Sequence, residues 1–409
     1  MTDSQRPAPM PSAPPPPPKR SAPPPPPPGM AAARAGGSRA AAPPPMPKSA
    51  GGVRVGSGLT LERLVREAFD KGFSDIHLGV GEVPRFRNRG EIDSTDYPET
   101  DEATFYSWLA EILKPDQIQD FKQTMDFDGA AHFDFTRVRI NIFNTLRGPA
   151  MVMRLIPVKI LTIDQLNLPV VLKDICHYHK GLVLVTGPTG SGKSTSLAAM
   201  IDYINTDMPK HIITIEDPVE FVHTSRMSLI KQREVGIHTM EFKNALKASL
   251  REDPDVILVG EIRDRETVDI ALKAAQTGHL VFGTLHTNSA VKTVERVLGM
   301  YEPEQQSAVR VSIAESLVAV VAQGLCRTTD GKRAAFHEIL INTDAIKDYI
   351  QRGQLDEVEA LLPKCGFDGM CNMNQSLYSL YESGRITEET ALEMSPRQNE
   401  MAQMLRGRI

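Results

Sequence analysis

Four short apolar runs, at 182–186, 211–215, 256–259 and 280–284, punctuate the middle of the chain. Each is too short for a helix and lacks the alternation of a half-solvated strand, so each is expected to be a strand buried on both faces. Between them, the stretch after Ser194, with Leu197, Ala198, Ala199, Met200 and Ile201, and the segments 243–251 and 267–275 read as helices. Strand and helix in alternation predict an α/β fold, a largely parallel sheet with helices on both faces. Ligands of such sheets gather at the carboxyl ends of the strands. The residues just after each run are therefore the ones to inspect.

Upstream, Leu61, Leu64, Val65, Ala68 and Phe69 recur at helical spacing and stop at Gly72. Segments 74–78, 83–87, 133–135 and 137–144 read as strands and 102–113 as a helix, which predicts a small α/β domain over 59–157. A linker is expected over 158–180, the alternating strand–helix core over 181–343 and a helical region over 344–409. His77 is read as a half-buried strand residue, because no second metal ligand lies at a recognised spacing.

Residues 1–58 have a different composition, with proline runs at 14–18, 23–28 and 43–45. Too few apolar side chains are available there to bury, so a disordered tail with polyproline stretches is expected. It serves either as a solvated spacer or as a docking tail for aromatic grooves. The net charge of −5 conceals an asymmetry, since seven Lys and Arg precede Ser57 against Asp3 alone, leaving about −11 on the remainder. An acidic body argues against non-specific nucleic-acid binding as the main activity. The four cysteines include no C-x-x-C pair, and no apolar run approaches a membrane span, so a cytoplasmic protein with reduced thiols is expected.

The run at 182–186 leads directly into Gly187-Pro188-Thr189-Gly190-Ser191-Gly192-Lys193-Ser194-Thr195, which fits G-x-x-x-x-G-K-[ST] between a strand and a helix. The glycines let successive N–H groups face one centre, and the helix points its positive end at the same place. Gly187, Thr189, Gly190, Ser191, Gly192, Lys193, Ser194 and Thr195 are expected to bind ATP. Lys193 would reach the β- and γ-phosphates and the Ser194 hydroxyl would ligate Mg²⁺.

Three further strand ends bring Glu220 (after 211–215), Glu261 (after 256–259) and His286 (after 280–284), with His279 preceding the last strand. Hydrolysis of a γ-phosphate needs a metal, a water in line and a group to take its proton. Glu220 is expected as the base and Glu261 as a metal ligand that holds metal-bound water, although Gly260 stands where an aspartate is more usual. His286 is expected to sense the γ-phosphate. Arg139, Arg147 and Arg154 are also notable. Arg139 and Arg154 sit in apolar strands and either face solvent or lean onto the nucleotide phosphates.

These boxes, 187–195, 215–221, 251–264 and 278–287, resemble the Walker A, Asp box, Walker B and His box of the secretion ATPase superfamily. Within it they are similar to type IV pilus retraction (twitching-motility) ATPases of the PilT type, over roughly 59–385. The resemblance implies a homo-hexamer in which a PAS-like N-terminal domain joins a RecA-like ATPase domain through a flexible linker. It also implies work on an inner-membrane pilus platform protein. It matches Glu220 to the catalytic acid, Glu261 to the Walker B acid, His279 and His286 to the His box, and Arg139 and Arg154 to arginines near the nucleotide. Residues 345–352 read A-I-K-D-Y-I-Q-R where the family has A-I-R-N-L-I-R-E. The alternatives are an accessory, paralogous retraction ATPase of the PilU type and a nucleotide-switched scaffold that uses the proline-rich tail.

Overall fold

The computed structural model describes residues 59–88, 90–156 and 159–407; the tail expected over 1–58 lies outside them. The first elements are α1 (Leu61–Lys71), β1 (Asp75–Gly79), β2 (Arg85–Asn88), β3 (Glu91–Ser94), α2 (Glu102–Ile112), α3 (Pro115–Thr124), β4 (Asp126–Phe133), β5 (Thr136–Thr145) and β6 (Gly148–Ile156). The strands form one antiparallel sheet in the order β3–β2–β1–β6–β5–β4. Helix α1 begins where the Thr60 hydroxyl accepts the Arg63 N–H, and it ends at Gly72, whose left-handed backbone (φ 70°) lets its N–H cap the last turn. Its buried stripe of Leu61, Leu64, Val65 and Ala68 packs with Phe105, Trp108 and Leu109 of α2 over Ile76, Ile140, Ile142, Met151 and Met153 of the sheet. The Trp108 indole N–H donates to the Leu59 carbonyl at 2.8 Å, which ties the start of the domain to its core.

The second group comprises α4 (Val171–Cys176), β7 (Gly181–Thr186), α5 (Lys193–Asp207), β8 (His211–Glu216), β9 (Leu229–Glu234), α6 (Phe242–Ser249) and β10 (Val256–Val259). It continues with α7 (Arg265–Gln276), β11 (Leu280–Leu285), α8 (Ala290–Leu298), α9 (Pro303–Ser316), β12 (Leu317–Arg327) and β13 (Arg333–Ile341). Its seven strands run β13–β12–β7–β11–β10–β8–β9, all parallel except β13. Alternate strand residues feed two cores. Leu182, Leu184, Ile257 and Val259 meet α6 to α9 on one face. Val183, Val185, Val256 and Leu258 meet α4 and α5 on the other. A sheet covered on both faces explains why its strands read as unbroken apolar runs. The helices α10 (Asp344–Arg352), α11 (Leu355–Leu361), α12 (Met373–Glu382), α13 (Glu388–Met394) and α14 (Gln398–Leu405) follow.

The structure therefore has the α/β class expected, with an antiparallel N-terminal sheet, a mostly parallel second sheet and C-terminal helices. Several elements differ from the sequence expectation. Of segment 133–135, Phe133 closes β4 and Asp134-Phe135 form the turn to β5; β4 itself is the longer stretch Asp126–Phe133, held by pairing with β5 along its whole length. The expected linker contains α4, whose Leu172, Ile175 and Cys176 are buried against the second sheet. All four cysteines are free. Among the described residues no helix is long and apolar enough to cross a membrane.

Candidate active site

The loop from Gly187 to Gly192 joins β7 to α5, and its shape follows from close packing beneath and open space above. Gly187 has φ 144°, and a side chain there would stand 2.3 Å from the Gln323 carbonyl. Gly190 (φ 80°) has nothing within 4 Å of where a Cβ would lie, so the loop's upper surface is open to an approaching phosphate. From below, Gln323 of β12 braces the loop. Its amide donates to the Ser191 carbonyl at 2.7 Å and its oxygen accepts the Ser196 hydroxyl at 2.7 Å and contacts His337 Nε2 at 3.1 Å.

Above the loop lies a cleft of about 470 Å³. Thr189 to Thr195 line it, with Glu216, Glu220, Glu261 and His286 from the ends of β8, β10 and β11 and Arg154 from the antiparallel sheet. Adjacency in the sheet produces this convergence, since β7, β11, β10 and β8 are successive neighbours and all point their carboxyl ends the same way. Lys193 turns back on its own loop and donates to the carbonyls of Gly187 (2.7 Å) and Pro188 (3.1 Å). Burial lowers its pKa, against the opposing pull of Glu261 and Glu220.

Glu261 accepts from Arg263 at 2.6 Å and lies 3.4 Å from His286 Nε2. The Arg263 bond holds its carboxyl below the usual range, with His286 and Lys193 adding to the effect against partial burial. Gly260 delivers this turn, because its carbonyl accepts the Thr284 hydroxyl and a side chain there would stand 3.1 Å from the Glu216 backbone. Glu216 is half-buried, and desolvation pushes its carboxyl up. It accepts the Thr214 hydroxyl at 2.6 Å and the Glu220 backbone N–H at 3.4 Å.

Not every residue singled out in the sequence meets here. Gly187 lies beneath the cleft, packed against Gln323. Arg154 lines the cleft but also donates to Asp75 at 2.8 Å. Arg139 is absent from the lining and pairs with Asp128 at 2.8 Å on its own sheet. His279 precedes β11, one strand length from His286, and contacts the Ala274 carbonyl at 2.9 Å through Nδ1. Within one chain it is therefore at the amino-terminal ends of the strands, opposite the phosphate loop. Conversely, Gln323, Arg333 and Glu216 belong to the site or its support and were not singled out. A lone amide inside the apolar run 317–325 was the available signal for Gln323.

The donor set suits a Mg²⁺–nucleotide. Ser194 and Glu261 line one cleft beside open loop amides, and magnesium bound with phosphates takes only one or two protein oxygens. Among the described residues no group of three or more His, Cys, Asp or Glu forms a self-sufficient metal cage.

A parallel sheet carrying a lysine-serine phosphate loop, with acids at the neighbouring strand ends, defines a P-loop nucleoside triphosphatase. The chain belongs to the Type II/IV secretion system protein family, whose model matches residues 58–402. It is 46% identical to a twitching motility protein of Neisseria gonorrhoeae over 76% of this chain and 83% of that one. It is 42% identical to the type IV pilus retraction ATPase PilT of Pseudomonas aeruginosa over 82% and 98%, and 38% identical to the type IV pilus ATPase PilU of that organism over 85% and 92%. The crystal structure of the pilus retraction motor PilT with bound ADP superposes with a TM-score of 0.80 at 41% identity, covering 85% of this chain and all of that one.

Proposed function

We infer that this protein is a PilT-like ATPase that drives type IV pilus retraction and twitching motility. The observation that carries the reading is the single cleft in which Lys193, Ser194, Glu220, Glu261 and His286 meet. In this reading ATP exchanges the carbonyl partners of Lys193 for β- and γ-phosphate oxygens, while the loop amides and the start of α5 take the remaining charge. Glu220 orients the attacking water and takes its proton. Glu261, kept ionised by Arg263, would hold Mg²⁺ together with Ser194. Magnesium, when bound, supplies neutralisation of the charge developing on the phosphate oxygens. His286, in contact with Glu261, reports the loss of the γ-phosphate, and Arg154 stabilises negative charge from the antiparallel-sheet side.

The working form is a homo-hexamer in the cytoplasm at the inner-membrane pilus platform. Residues 59–157 act as a PAS-like domain that swings against the RecA-like core over 181–343, with 158–180 as the link. Arg139 and His279, which do not line the cleft in one chain, are then the residues to test at contacts between neighbouring subunits.

The test compares steady-state ATP turnover of the wild type with Glu220→Gln and Glu261→Gln. An amide still hydrogen-bonds but accepts no proton, so Glu220→Gln is expected to lose roughly a hundredfold or more in kcat with ATP binding retained. Glu261→Gln is expected to lose turnover and its dependence on Mg²⁺. Turnover at the wild-type rate in both variants would sink the assignment. Restoration of twitching in a strain lacking its retraction ATPase, by the wild type and not by Glu220→Gln, tests the coupling to retraction.

A further inference from the structure

Glu220 is carried on the short loop after β8, and two carboxylates, one half-buried and one buried, suspend that loop by consecutive amides. Glu216, the last residue of β8, accepts the Glu220 N–H at 3.4 Å. Glu234, the last residue of β9 and the register partner of Glu216, accepts the Val219 N–H at 2.9 Å. The two supports differ in what holds them. Glu216 is held by Thr214 and Gln232, both in its own sheet. The same oxygen of Glu234 that takes the Val219 amide also accepts Arg137 Nη2 from β5, in the other sheet. Both members of this pair are buried, with side chains 7% and 5% exposed.

Arg137 is placed where movement of the antiparallel sheet would be felt. It stands opposite Ile156 in register, at the end of β6, where the chain leaves that sheet for the next. A buried carboxylate that loses the cation bonded to it is strongly disfavoured, so it takes up water or a proton and no longer fixes its other partner. Withdrawing Arg137 therefore loosens the Val219 amide, one residue from Glu220. A displacement of about 1 Å of a catalytic group is sufficient to cost up to about a hundredfold in rate.

We propose that the Arg137–Glu234 pair is a positioning link through which docking of the antiparallel sheet sets Glu220 for hydrolysis. Arg137 and Glu234 act through the Val219 amide and touch neither ATP nor the attacking water. The link rests on Glu220 being the water-activating acid, as inferred above.

The test uses the full chain and four variants: Arg137→Gln, Glu234→Gln, the double variant and Arg137→Lys, with Glu220→Gln as reference. Each single variant is expected to lower kcat roughly tenfold or more, with KM for ATP within about twofold of wild type. The double variant is expected to be no slower than the worse single one, because both remove the same link. Arg137→Lys should recover part of the loss. Hydrogen exchange at the Val219 and Glu220 amides should quicken in Arg137→Gln while exchange in β8 stays slow, a reading available even where turnover is too low to measure. Wild-type kcat in the single variants, a raised KM with unchanged kcat, or losses that multiply in the double variant would each overturn the link. If Glu220→Gln alone abolishes turnover while Arg137→Gln is fully active, only the link fails. If the wild type has no ATPase activity, the functional reading fails with it.

Discussion

At the scale of single residues, the phosphate loop was legible because its chemistry is contiguous in sequence, whereas its support was not. Gln323 reaches Ser191 and Ser196 across 132 and 127 positions, and Arg137 reaches Glu234 across 97. No local pattern announces such pairs. Behind Gln323, His337 of β13 is fully buried, and burial pushes its pKa down to about 4. It is therefore neutral in the folded protein, while in the unfolded chain it titrates near its usual value of about 6.5. Above that value both states are neutral and its contribution is complete. As the pH falls, the unfolded chain gains a proton that the folded one refuses, and stability is lost progressively down to about pH 4. By pH 5 the loss is about 2 kcal/mol. The half-buried His223, also near 4, acts in the same sense. Thermal melts at pH 7 and pH 5 should show a smaller gap for His337→Gln, which keeps a donor toward Gln323, than for the wild type.

At the scale of elements, β7, β8, β10 and β11 were readable because hydrophobicity alone specifies strands buried on both faces, while the equally apolar β12 was not named. Strand β4, with Asp126 and Asp128, and the edge strand β9, with Lys231, Gln232 and Arg233, were not, because partners rather than composition hold them. The junction between β7 and α5 allows two glycines, both of positive φ, to be separated. Gly187→Ala would drive a methyl group into the β12 backbone at a position with positive φ, for a cost of about 3 kcal/mol. Gly190→Ala meets open space and should cost about 1 kcal/mol in stability. Its methyl group instead projects where phosphate must approach, so ATP affinity falls with little change in melting temperature. Measuring melting and ATP binding for both variants checks this. Equal melting temperatures for the two would contradict the packing account.

At the scale of the whole molecule, both sheets close their cores with residues beyond 59, and every group lining the cleft lies between Arg154 and Arg333. The segment 1–57 differs from this body in charge as well as composition, a basic stretch of about +6 preceding a body of about −11. Between exposed charges, screening at physiological salt acts over about 8 Å. Any action of the basic segment on the potential at Lys193 or Glu261 is therefore expected to depend on ionic strength. Removing residues 1–57 is expected to leave the melting temperature within about 2 °C and ATP turnover within about twofold at physiological ionic strength. Assays at low and high salt make the comparison sharper. A deletion that slows turnover several-fold at low salt and not at high salt would show that the basic segment acts electrostatically on the nucleotide site, and the spacer reading would then fail. Turnover unchanged at both, with twitching lost in the cell, would assign the segment to docking on another component of the pilus machine.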